Sequence, residues 1–359
     1  MSIIRRAWLG LGAIIAVTAL TACASAPSAS PSAASPTPSP LTSATELTVV
    51  THDSFAVTQS LLDAFAKKTG FTVKFVKPGD AGTVVNQLVL TKDSPLGDVV
   101  FGIDNTFSGR AISAGILAPY ASPAVPAGSD DLLADTQHML TPIDYGDVCL
   151  NADLAWFKAK NLAVPATLDD LLKPEYAKLL VVENPASSSP GMAFLAATIG
   201  AKSESGYLDY WKALKANGVK VDPGWTEAYS TDFSGSTGKG AYPLVVSYNT
   251  SPAYEAKDGV APTVALTQTC FRQVEYAGVI AGAKNAVGAR AFIDFLLSPE
   301  VQADIPGQMY VYPANRATAL PADWTQFAAK VESPFTVPAT TLSANRDAWI
   351  KAWTAAVLG

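Results

Sequence analysis

From residue 47 onward, short apolar runs alternate with stretches of helical period. Leu47-Thr-Val-Val-Thr51 reads as a β-run. It leads through His52-Asp53-Ser54-Phe55 into an amphipathic helix, with Leu61, Leu62 and Phe65 in its buried stripe and Gly70 as its stop signal. Phe71–Val76 is the next expected strand, Val84–Leu90 the next helix and Asp98–Phe101 the strand after it. That βαβαβ order predicts a parallel sheet with crossover helices. A second series has the strand Leu179–Val182, helices over Gly191–Ile199 and Ser205–Ala216, the strand Leu244–Ser247 and a helix near Pro252–Ala256. Two extended runs without helical period, Thr141–Leu150 and Arg272–Ile280, flank this series and read as crossovers between two lobes. Helices over Ala286–Leu297 and Asn345–Ala356 close the chain, and no internal repeat is visible.

The expected fold class is therefore α/β. It has two lobes, each a mainly parallel sheet flanked by helices, with a ligand cleft between them. Lobe 1 is expected over 46–143 plus 272–310, and lobe 2 over 144–271 plus 311–359. In open α/β sheets ligands sit beyond the carboxyl ends of the strands, so the residues just after each strand carry the functional expectation.

The start of the chain reads as an address. Arg5 and Arg6 precede an apolar run too short for a stable spanning helix, and Leu20-Thr-Ala-Cys23 has the form of a bacterial lipobox. Residues 1–22 are expected to be a signal peptide and Cys23 to be lipidated. Residues 23–45, mostly Ala, Ser, Pro and Thr, would form a flexible tether. The expected product is extracytoplasmic and anchored to the outer face of the cytoplasmic membrane. Of 359 residues 49% are apolar and 16% charged, with net charge −6. That balance excludes a nucleic-acid binder with a basic face, and the scattered apolar residues exclude a polytopic membrane protein. Once Cys23 is set aside, Cys149 and Cys270 remain as a pair in an oxidising compartment, where a disulfide is expected in preference to two buried thiols.

Several segments then occur in a telling order: Thr51–Phe55, Asp98–Asn105, Ile143–Gly146, Ser188–Gly191, Gly224–Tyr229, Ser247–Tyr254 and Met309–Asn315. Together they resemble the thiamine-binding subunits of bacterial thiamine ABC importers, from about Glu46 to the last helix. The resemblance implies a type-II periplasmic-binding-protein fold. It also implies thiamine or a thiamine phosphate as ligand, a membrane permease with its ATPase as partners, no cofactor, no bound metal and a monomer. By matching position, the ring-contacting aromatics fall on Trp225, Tyr248 and Tyr310. The tail-binding serine falls on Ser188, with Ser189 beside it, and an acidic residue near the ligand tail falls on Asp80. Three departures stand out. His52 occupies a position usually held by tyrosine, Tyr310 one held by tryptophan, and a further early tryptophan has no counterpart in Ala56–Ser60.

The chemistry of a flat aminopyrimidine joined to a cationic thiazolium agrees with these residues. Aromatic faces stack on both rings and attract the cation. Trp225 and Tyr229, four apart on an expected helix entrance, should point the same way. Ser187-Ser-Ser-Pro-Gly191 reads as a helix start able to receive an anionic tail, or as plain capping. Asp53, Ser54, Asp104, Asp144, Tyr145, Gly191 and Ser251 complete the expected cleft set, although each aspartate could equally cap a local turn.

Enzyme readings are weaker. His52 and His138 are the only histidines, and no Gly-x-Ser-x-Gly elbow is present. Gly235–Gly240 fails the Walker spacing, no Tyr-Tyr pair suggests iron binding, and no His/Cys spacing suggests zinc. The rival is a thiaminase-I-like enzyme on the same scaffold, with Cys149 as nucleophile near Asp147. A further alternative is a binding protein for another cationic or phosphorylated solute, such as a polyamine or an aminophosphonate.

Overall fold

The structure, a computed structural model, describes residues 45–237 and 239–359. The expected signal peptide, Cys23 and the tether up to residue 44 lie outside the described residues. No described helix is long and apolar enough to cross a membrane.

Among the described residues ten strands form one sheet: β1 (Thr45–Thr51), β2 (Phe71–Val76), β3 (Val99–Asp104), β4 (Leu117–Ala118), β5 (Thr141–Asp153), β6 (Leu180–Glu183), β7 (Lys220–Asp222), β8 (Leu244–Tyr248), β9 (Thr263–Ile280) and β10 (Tyr312–Pro313). The order is β2-β1-β3-β9-β5-β8-β6-β7, with β4 attached to β9 and β10 to β5. β1 pairs in parallel with β2 and β3, and β6 in parallel with β7 and β8. These two parallel groups are the cores of two lobes. β9 and β5 lie antiparallel between them, pairing with each other and with the inner strands β3 and β8. The crossover segments are thus the two central strands of a continuous sheet. Both run further than their periodicity indicates, because their ends pair along each other: Asn151 and Asp153 of β5 lie opposite Ala265 and Thr263 of β9.

Successive residues of a strand point to opposite faces, and both faces of the first lobe's sheet are covered. Leu47, Val49, Val99 and Phe101 pack with Phe65, Phe292 and Ile293 of the helices Gln59–Thr69 and Ala286–Leu296. Val50, Val100 and Ile103 pack toward Val84, Val85 and Leu88 of the helix Ala81–Leu90. This two-sided burial explains why these strands read as near-continuous apolar runs.

In the second lobe the residues expected to form two helices run together over Ser189–Ala216, broken at Ser203 (φ 63°). Trp211 of that segment meets Trp353 edge to face at 5.3 Å. The last helix, Ala339–Val357, starts earlier than its apolar stripe suggests. Cys149 of β5 and Cys270 of β9 are joined by a disulfide.

Candidate functional site

The carboxyl ends of the parallel strands converge on one recess. His52 follows β1, Asp80 follows β2, Ser189 and Pro190 start the helix after β6, Trp225 follows β7 and Tyr248 ends β8. Glu275 of the central strand β9 forms part of the wall. Gln308, Met309, Tyr310 and Val311, at the end of the helix Pro299–Gln308, close another side. The recess measures about 500 Å³ including its open mouth.

Each wall residue is fixed by its own contacts. The Trp225 ring stacks on Tyr229 at 4.6 Å and 14°, and Tyr229 stacks in turn on Phe233 at 5.8 Å. The spacing of four does place Trp225 and Tyr229 on one side, as a tandem in which Tyr229 lies buried behind the tryptophan with its hydroxyl donated to Glu255. The Trp225 Nε1–H donates to Ser247 Oγ at 3.0 Å, and Ser251 Oγ lies 2.9 Å from that same serine oxygen. Tyr248 donates its hydroxyl to Gln273 Oε1 at 3.3 Å, and burial raises its pKa well above the usual tyrosine range. Tyr310 sits in the left-handed region (φ 59°) and stacks on the exposed Tyr254 at 3.4 Å.

His52 is 5% exposed, with Nδ1 2.9 Å from Ser54 Oγ and Nε2 3.5 Å from Glu275 Oε1. Burial, with help from nearby Lys77, lowers its pKa to about 3, so the ring is neutral. Its position needs Gly102 (φ +95°), since a Cβ there would come within 2.2 Å of the His52 ring. Asp80 caps the helix Ala81–Leu90 and also accepts from the backbone N–H of Trp225 at 3.0 Å. Burial pushes its carboxyl up, against the pull of those N–H groups.

Other expected site residues stand behind or beside the recess. Asp104 and Asp144 are fully buried, and burial raises both to about 7. Ser188 is the buried cap of the helix Ser189–Ala216, accepting from Gly191 N–H at 3.3 Å. Gly191 allows close helix packing, because a Cβ would lie 2.6 Å from the Glu183 carbonyl oxygen. Tyr145 stacks on Tyr312 at 5.3 Å, with the guanidinium groups of Arg272 and Arg316 near its ring. Asp53 is exposed, and its backbone N–H donates to Gly79 O. Glu275, Gln308 and Met309 escape a reading of strand ends. Glu275 had one available signal, a lone acid in the otherwise buried run Val274–Ile280.

The model for the bacterial extracellular solute-binding proteins matches residues 94–332. The chain belongs to this family. It is 31% identical to the thiamine-binding periplasmic protein of Escherichia coli K12 over 330 residues, covering 87% of this chain and 93% of that protein. It is 29% identical to the thiamine-binding periplasmic protein of Brucella melitensis biotype 1 over 328 residues, covering 87% and 92%. A solved periplasmic thiamin binding protein superposes with a TM-score of 0.76 at 28% identity, covering 87% of this chain and 96% of that one.

In this extracellular solute-binding protein the two lobes of the type-II fold also touch each other directly. Besides the Asp80–Trp225 bond, Thr83 N–H donates to Ser187 O at 3.1 Å and Asn86 Nδ2 to Ala186 O at 3.4 Å. Gly82 makes this approach possible, for a Cβ there would meet Ser187 backbone at 2.7 Å.

Proposed function

We propose that this protein captures thiamine, or a thiamine phosphate, outside the cytoplasmic membrane and hands it to an ABC permease driven by an ATPase. The observation that carries the reading is the make-up of the recess. Trp225, Tyr248 and Tyr310 line the recess together with Asp80 and Glu275, and no lysine or arginine is among the lining residues. Stacking faces, and acidic groups with no basic side chain competing for them, are what a planar cation requires. The thiamine-binding relatives support the same ligand.

The recess wall also offers the start of the helix Ser189–Ala216, where the buried Ser189 hydroxyl beside Asp104 is placed to meet a hydroxyl or phosphate tail. His52, Ser54, Asp80, Ser189, Trp225, Tyr248 and Tyr310 are the residues we assign to the ligand. The Cys149–Cys270 disulfide supports binding without turnover, because it leaves Cys149 no free thiol for attack. Lipidation at Cys23, lobes over 46–143 with 272–310 and 144–271 with 311–359, and action as a monomer complete the proposal.

The test is calorimetric titration of ligand-free protein with thiamine, thiamine monophosphate and thiamine diphosphate. Submicromolar one-to-one binding of one of them is expected. Absence of heat with all three would leave another cationic solute as the occupant.

A further inference from the structure

Across the three adjacent strands β3, β9 and β5, Asp104, Glu275 and Asp144 lie directly opposite one another: Asp104 is the register partner of Glu275, and Glu275 that of Asp144. Directly opposed residues of antiparallel strands project to the same side. They are 0%, 6% and 0% exposed, and only Glu275 reaches the recess. Asp104 is held by Thr106 Oγ1 and by Phe107 N–H, and the Ser189 hydroxyl lies beside it. Asp144 has neither oxygen engaged by an N–H or hydroxyl donor, so Glu275 is its neighbour in hydrogen-bonding terms. The His52 Nε2 atom, also buried at the recess wall, has no hydrogen-bond partner and faces Glu275 at 3.5 Å.

Three buried carboxyls in a row cannot all be charged without a compensating cation. The groups facing Glu275 are His52 after β1, Asp80 after β2, Asp104, Asp144 and the Tyr248 hydroxyl. Lys77 acts on His52, and Arg346 acts on Asp104. None of the facing groups supplies a positive charge to Glu275. Among the described residues, no acid or histidine cluster is arranged to hold a metal ion.

We propose that Glu275 is the carboxylate that meets the ligand's positive charge, and that the Asp104–Glu275–Asp144 row gives up a proton to solvent when the cation enters. This deepens the thiamine reading and rests on it. The O–H bond of one carboxyl breaks, its electron pair stays on oxygen, and the proton passes to water and buffer. A monocation thus replaces a proton and the site's net charge is unchanged. Neutral molecules of similar shape gain nothing from the exchange, so the row selects for charge.

The experiment is titration of the ligand-free wild-type protein with thiamine in two buffers of different ionisation enthalpy, from about pH 6 to 8.5. The expected result is release of about one proton per thiamine bound and an affinity that rises with pH by up to about tenfold per unit. Glu275→Gln, checked for folding by its melting transition, is expected to bind about tenfold to a hundredfold more weakly and to release no proton. Tight wild-type binding with no proton exchange and a flat pH profile would overturn the row's role and leave the ligand assignment standing. A Glu275→Gln variant with wild-type affinity and proton count would overturn Glu275 as the group that meets the cation. No thiamine binding to the wild type at any pH would instead bring down the ligand assignment, and this proposal with it.

Discussion

Trp225 is placed to stack on the ligand by contacts that it does not share with it. Tyr229 and Phe233 brace the ring from behind, and Ser247 holds its N–H. Trp225→Ala is therefore expected to cost about 1.5–3 kcal/mol of thiamine binding, roughly tenfold to over a hundredfold in Kd. Titration of the variant checks this, and an unchanged affinity would take Trp225 out of the site. A subtler change sits at Gly102. Alanine there adds a Cβ 2.2 Å from His52 at a φ that L side chains rarely adopt, so Gly102→Ala should displace His52, lower the melting temperature and weaken binding together. At this scale the sequence is readable where a residue follows a strand, as His52, Trp225 and Tyr248 do. It is not readable for Glu275, whose partners Asp104 and Asp144 arrive from strands far away in the chain. It also does not tell a wall residue from a bracing one: Tyr229 and Ser251 belong to the same motifs as Trp225 and Tyr248, and only packing puts them behind the recess.

Among the elements, β5 and β9 do the most. Their apolar runs without helical period mark them as strands, and their position between two βα series marks them as crossovers. What the pattern does not carry is their length, which comes from pairing beyond Leu150 and before Arg272 with each other. Nor does it carry the short helices Ser108–Ser113 and Leu154–Ala159, which span too few residues to set up a period. The disulfide ties these two strands at Cys149 and Cys270, positions 121 residues apart in the chain. Closing so long a loop restricts the unfolded chain strongly, and its removal is expected to cost about 2–5 kcal/mol. Both cysteines are buried, with 0% and 1% exposure, so the paired Cys149→Ala and Cys270→Ala variant avoids two free thiols but leaves a small void. Its urea midpoint should fall clearly below wild type. A midpoint equal to wild type would mean that the strand pairing alone holds the crossovers together.

Across the whole molecule, the carboxyls that prepare the recess for a cation should also set how the empty protein responds to pH. Burial raises Asp104 and Asp144 to about 7, and raises Glu275 and Glu183 well above the ordinary carboxylate range. In the unfolded chain such groups lose their protons near pH 4. Between about pH 4 and 7 the folded state therefore binds more protons than the unfolded one, and stability falls as pH rises through that window. His52 acts in the opposite sense, because its pKa is lowered to about 3 and the unfolded ring takes up a proton below about pH 6.5. Asp80 and Glu255 are raised by burial as well, so it is one group against six. Asp170 and Asp131, held low by Lys173 and Arg316, contribute stability that is lost only as pH falls below about 4. The ligand-free protein should thus melt at a higher temperature near pH 5 than near pH 8. Saturating thiamine should reverse part of that trend, raising the melting temperature more at the higher pH, where the carboxyl row lacks its protons and the cation binds best. Scanning calorimetry with and without thiamine at both values checks the two statements separately. A melting temperature of the empty protein that climbs from pH 5 to pH 8 would mean that His52, and not the carboxyls, governs the electrostatics of the fold.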